Sequence, residues 1–161
     1  MKLLQKMKQK KADNKGFSLV ELIIVIAIMA ILVGIVGTQV VPYINKSKEA
    51  KDFQIINSYS TAAMTAYSSN AEKITADLTV IVYPTSANTG NALIIENEIK
   101  TLTGYADKDA LKAKMGSKKG QTIVAVKVTI DLTNKKITTQ AYSDAGCTAG
   151  KEVFDPIVAE L

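Results

Sequence analysis

One ionisable group stands where an ordinary membrane helix would not keep one. Glu21 lies inside an apolar run from Phe17 to Val41, 25 residues in which it is the only charge. An ionised carboxylate within a bilayer costs about 2.5–3.5 kcal/mol even on insertion-based scales, so a carboxylate kept there needs a task. Near the start of a helix it also lies at the positive end of the helix dipole. The rest of the chain offers little else that reacts. Histidine, arginine and tryptophan are absent and the one cysteine is Cys147. That excludes a histidine triad, a Cys/His zinc centre and an intramolecular disulfide framework. No Gly-x-Ser-x-Gly elbow, P-loop or dinucleotide fingerprint is present. Asp107-Lys108-Asp109 lacks the remaining positions of a calcium loop, and Asp144, Glu152 and Asp155 have no ligating spacing. No cofactor, metal or catalytic residue is assigned, and the chain is read as a non-enzyme.

At about 1.5 Å per helical residue the run from Phe17 to Val41 reaches about 37 Å, enough to cross a hydrocarbon layer of about 30 Å. Six lysines (2, 6, 8, 10, 11 and 15) precede Gly16 against the single acid Asp13, leaving 14 lysines and 14 acids for the rest. The basic balance therefore belongs to the N-terminus alone. A lysine cluster directly before an apolar span keeps the N-terminus cytoplasmic, which predicts an N-in orientation with the rest outside. The span is longer than a secretory signal's apolar region, and no small-x-small cleavage site stands out at its end. A plain single-pass anchor accounts for length and orientation but not for Glu21.

The residues Lys15-Gly16-Phe17-Ser18-Leu19-Val20-Glu21 resemble the processing site of type IV prepilins and pseudopilins. The resemblance implies a basic leader, residues 1–16, removed by a prepilin peptidase that cuts between Gly16 and Phe17 and methylates the new Phe17 amine. It also implies an assembly role for Glu21, the fifth mature residue. In a staggered lateral array of helices, Glu21 of one subunit can meet the Phe17 ammonium of its neighbour. Each then offsets part of the other's desolvation and the pair sets the axial register. Ala30, Gly34 and Thr38 recur every four residues, with Gly37 close by, a spacing that lets helix backbones approach within a membrane or a bundle. The family often has proline at the position of Thr38. Here Pro42 lies four residues later, so any loosening of the helix on assembly is expected within Gly34–Pro42.

These groups need elements to hold them. One long helix is expected over 17–68, apolar all round to residue 41 and amphipathic over 42–68. There Phe53, Ile56, Ser60, Ala63 and Tyr67 form an inward stripe, and Lys46, Lys48, Glu49, Lys51 and Asp52 a solvated surface. A head follows over 69–161. It should hold a strand over Asp77–Tyr83, a helix through Ala92 and Leu102 ended by Gly104, and a short helix from the cap Asp107 to Met115. A hairpin of Thr122–Leu132 with Lys136–Tyr142 comes next. The tail could supply an edge strand or a closing loop. The fold class is α+β, a long N-terminal helix packed on a small antiparallel sheet.

The resemblance implies a structural subunit, made as a prepilin in the cytoplasmic membrane among its lipids and polymerised with copies of itself by a membrane-bound assembly machinery. The product would be an extracellular pilus serving adhesion, aggregation or motility. A pseudopilin of a secretion or DNA-uptake apparatus shares residues 15–41 and stays open. So does a membrane-anchored binding protein that never polymerises. Lys108, Lys112, Lys114, Lys118 and Lys119 form a basic stretch, yet no aromatic platform accompanies it, and a nucleic-acid partner is not supported.

Overall fold

The computed structural model describes residues 16–161; residues 1–15, with the lysines of the expected leader, lie outside the described residues. The chain divides into two units, one ending at Pro42 and the other running from Tyr43 to Leu161. Helical hydrogen bonding continues from Leu19 to Lys73.

The first unit holds α1, Leu19–Ile35, whose residues are all exposed. A π-helical segment, Val36–Val40, follows. Its cause is Pro42, which has no N–H for the Thr38 carbonyl and whose ring would crowd that oxygen in a regular α-turn. The Val41 N–H instead reaches back five residues to the Val36 oxygen, widening the turn. The next helix, α2, spans Val41–Asn70 and ends in a 3-10 turn, Ala71–Lys73. It runs slightly beyond the expected Ser68. The Asn70 side chain draws it on by donating to the Ala66 carbonyl and, at 2.6 Å, to Glu98.

In the second unit the strands β1 (Leu78–Val82), β2 (Ala125–Asp131), β3 (Lys136–Tyr142) and β4 (Ile157–Glu160) form one sheet in the order β1-β2-β3-β4, each neighbour antiparallel. The tail thus supplies the edge strand. Alternation puts Val126, Val128 and Ile130 of β2 on the inner face, while Lys127 and Thr129 face out. β2 is shorter than expected at both ends. Gly120–Thr122 closes into a 3-10 turn before it, and the Leu132 N–H is taken by the Asp77 carboxylate at 2.9 Å.

The core lies where α2 meets this sheet. Ile56, Tyr59, Ala63 and Ala66 pack with Val80, Val82, Val128, Ile130 and Ile137. Ile95 and Ile99 of α3 (Gly90–Thr103) and Leu111 of α4 (Lys108–Lys112) complete it. Gly104 stops α3 in the left-handed conformation, φ 76°, which suits a glycine. Asp107 caps α4 as expected, accepting from the Asp109 and Ala110 amides at 3.0 and 2.8 Å. Two expectations for α2 are corrected. Phe53 is 36% exposed and stands outside the core, meeting Phe154 edge-on at 5.9 Å between ring centres. Asp52, expected on the solvated surface, is 1% exposed. Its carboxylate accepts from the Gly116 N–H (2.8 Å), the Ser117 N–H (2.8 Å) and the Ser117 hydroxyl (2.5 Å). Those donors neutralise the cost of burying it.

Candidate processing and assembly segment

The segment is built outward from the first turn of α1. Ser18, in extended conformation (φ −66°, ψ 142°), is the N-cap, and its hydroxyl accepts from the Val20 N–H at 3.3 Å. Glu21 closes the reciprocal half of a capping box, its Oε2 accepting from the Ser18 N–H at 2.8 Å. Glu21 therefore has a local partner within its own chain. That satisfies one helix-end donor and places negative charge at the positive end of the helix. The spacing Ser18-Leu-Val-Glu21 is itself a capping-box pattern and is the sequence signal of this local contact.

Gly16 and Phe17 precede the cap and lie outside helical hydrogen bonding. The Phe17 side chain is 87% exposed. From Leu19 to Ile35 no residue is buried, and the apolar side chains from Leu22 to Val33 all face open space. Ala30, Gly34 and Gly37 are exposed as well, and a Cβ built on either glycine would meet nothing within 4 Å. The Thr38 hydroxyl donates back to the Gly34 carbonyl at 3.0 Å. The π segment falls within the Gly34–Pro42 interval.

Several of the head's polar groups are committed to its own architecture. Asp144, with its pKa lowered chiefly by the Thr148 hydroxyl donating at 2.6 Å, closes a turn. Glu152 is exposed, and only its backbone pairs, in an isolated antiparallel bridge with Tyr142 at the end of β3. Cys147 is buried against Ala125 and Tyr142, and burial pushes its thiol pKa up. The Tyr59 and Tyr83 hydroxyls meet at 2.8 Å and Tyr83 donates on to the Tyr105 carbonyl at 2.7 Å. Burial raises both phenol pKa values, that of Tyr83 to about 12. Among the described residues, no three histidine, cysteine, aspartate or glutamate side chains are grouped as a metal site.

A capped, fully exposed apolar helix long enough to cross a membrane, followed by an α+β head with a four-stranded antiparallel sheet, is a pilin-like architecture. The family model for the prokaryotic N-terminal methylation motif matches residues 11–37. The chain carries the N-terminal signal of type IV prepilins and pseudopilins, which indicates a structural subunit processed by a prepilin peptidase and assembled into a pilus-type filament. No curated protein and no solved structure matches the chain.

Proposed function

We infer that this chain is the structural subunit of an extracellular type IV pilus, inserted N-in as a membrane prepilin, cut between Gly16 and Phe17, methylated on Phe17 and polymerised through its N-terminal helix. The observation that carries this reading is α1 itself. Seventeen consecutive helical residues expose every side chain, and apart from Ser18 and Glu21 the stretch offers water nothing polar up to Gly34. Such a surface demands cover, by lipid before assembly and by neighbouring helices after it. Glu21 supplies what an anchor does not need, a charge that recognises the neighbour's Phe17 ammonium. Ala30, Gly34 and Gly37 supply flat places where helices can close on one another. Gly37 lies in the widened turn, with Gly34 and Pro42 on either side of it, where the helix departs from regular α hydrogen bonding.

N-terminal mass analysis of shed surface filaments tests the reading. It expects a methylated Phe17 as the first residue; an intact leader, or a cut elsewhere, overturns it. Deleting the gene separates pilus from pseudopilin: loss of long surface fibres supports the pilus, whereas intact fibres with secretion or DNA uptake lost would transfer the chain to the other machine.

A further inference from the structure

We propose that the head carries an anionic-lipid binding rim, formed by Lys46, Lys48 and Lys51 of α2 with Lys114, Lys118 and Lys119 of the segment joining α4 to β2. The proposal rests on the reading of Phe17–Val41 as a membrane segment before assembly.

The head's balance of lysines and acids hides an uneven distribution. The stretches 46–52 and 107–119 hold eight lysines against Glu49, Asp52, Asp107 and Asp109. More than fifty residues separate the two stretches, and the fold brings them together in three places. The Asp52 carboxylate holds Gly116 and Ser117 against α2. A Cβ on Gly116 would lie 3.8 Å from the Lys48 Cγ, so the Lys48 stem runs alongside this segment. Lys51 and Lys114 line the same open cleft of about 510 Å³.

The four acids of these stretches offset half of the charge of the eight lysines, and among the described residues none of them forms an ion pair with a rim lysine. Asp52 is turned inward and committed to its three donors, Asp107 caps α4, Asp109 lies in the first turn of α4, and Glu49 is half-buried. Among the described residues the ion pair found is Lys100 with Glu96, and it involves none of the six rim lysines. Lys119 lies instead over the Phe154 ring at 4.9 Å. An excess of like charge gathered on one surface destabilises it, so an external anion is the natural complement.

The place of the lysines along the chain identifies that anion. Lys46 follows Val41 by five residues on the same helix, and Tyr43 between them is 74% exposed. An aromatic residue and then lysines at the end of an apolar span are the residues that anchor at a headgroup layer. Lysines near an anionic bilayer surface each add to the attraction. The rim would hold the head against phosphate-bearing headgroups until the subunit leaves the bilayer for the filament, when those contacts are exchanged.

The test reconstitutes the full chain in nanodiscs of phosphatidylcholine alone or with phosphatidylglycerol, and follows sparse amine labelling of individual lysines by mass spectrometry. Lys135, in the turn between β2 and β3, and Lys136, the first residue of β3, serve as internal references. With phosphatidylglycerol, labelling of Lys51 and Lys119 should slow about fivefold or more relative to the references. The slowing should vanish at high salt, where the screening length falls to about 3 Å. It should also vanish in the triple variant Lys48→Gln, Lys114→Gln, Lys118→Gln, whose Asp52 contacts are untouched. Equal labelling in the two lipid compositions overturns the proposal. Stronger slowing by short duplex DNA than by the anionic discs also overturns it, in favour of a nucleic-acid partner. If the chain washes off both kinds of disc, the membrane reading beneath the proposal fails instead.

Discussion

Asp52 and Ser117, 65 residues apart, form the principal polar joint of the head: the buried carboxylate accepts both the backbone N–H and the hydroxyl of Ser117. Hydrogen bonds to a charged group contribute about 1.5–3 kcal/mol each where the partner cannot turn to water. Asp52→Ala leaves the Ser117 donors without their acceptor and is expected to destabilise the head by about 3 kcal/mol. Asp52→Asn, which can still accept but carries no charge, should cost about half as much. Thermal unfolding of the full chain in detergent, followed by near-ultraviolet circular dichroism, ranks the two. Equal stability of Asp52→Ala and the parent would show that the joint is idle.

Two neighbouring glycines respond differently to the same added methyl. A Cβ on Gly120 would lie 2.2 Å from the Asp52 Oδ2, so the carboxylate would have to leave its donors. A Cβ on Gly116 would meet the Lys48 stem and Asp52 at 3.8–3.9 Å, ordinary contact. Gly120→Ala is therefore expected to cost about 1–3 kcal/mol, as overpacking does, and Gly116→Ala less than about 0.5 kcal/mol. The double variant Asp52→Ala, Gly120→Ala should cost less than the sum of its parts, because the clash is with the group removed. Strict additivity would refute that account.

What was legible in the sequence was local. The hairpin of β2 and β3 announces itself by alternation, α4 by Asp107 and the end of α3 by Gly104. The burial of Asp52 is not legible locally, because its donors come from Gly116 and Ser117, 64 and 65 residues away, and nothing near Asp52 marks it as different from the lysines beside it. Whether the tail formed a strand depended on its pairing with β3, from Lys136↔Glu160 to Thr139↔Ile157, which no periodicity within the tail encodes. The Ser18 to Glu21 box was readable by spacing. The prepilin resemblance points Glu21 to a partner in another subunit, whereas the Ser18 N–H lies nearer, at 2.8 Å.

Thr139 offers a stabilising substitution. It points into the core from β3, fully buried, and its hydroxyl has no hydrogen-bond partner among the described residues. Valine has nearly the same shape and is favoured in strands. Removing an unsatisfied buried hydroxyl should recover about 1–2 kcal/mol and raise Tm by several degrees. A lower Tm for Thr139→Val would mean that the hydroxyl is satisfied in solution.

The tyrosine pair sets an alkaline limit. The folded state favours the neutral phenols, since burial raises both above the ordinary value of 10.0 and puts Tyr83 at about 12. Their contribution is whole below about pH 10, where unfolded tyrosine is also neutral, and is lost as pH climbs through about 12. Stability measured against pH should be level up to about 10 and fall beyond it. Tyr59→Phe should make the fall shallower by removing one of the two groups. A fall already complete below pH 10, or none by pH 12, contradicts the buried pair.

Glu21 has two separable jobs, and substitution distinguishes them. The first is the cap on α1, where Glu21 accepts the Ser18 N–H at 2.8 Å. Glutamine at this position can accept the same bond, whereas alanine cannot. The second is the proposed pairing with a neighbour's Phe17 ammonium, which needs the charge and which glutamine cannot supply. Glu21→Gln should therefore keep the helix start, membrane insertion and cleavage, yet yield few filaments. Glu21→Ala should lose filaments as well and fray the first turn of α1, a loss of about 1 kcal/mol of local helix stability visible as faster hydrogen exchange there. Gly16→Val provides the control upstream of both, accumulating the slower-migrating precursor with its leader attached. Filament yield, precursor mobility and exchange in the first turn are three independent readouts. If Glu21→Gln assembles normally while Glu21→Ala does not, the carboxylate serves as a cap alone and the register-setting ion pair is wrong. If both fail with an intact first turn, the charge is what assembly reads.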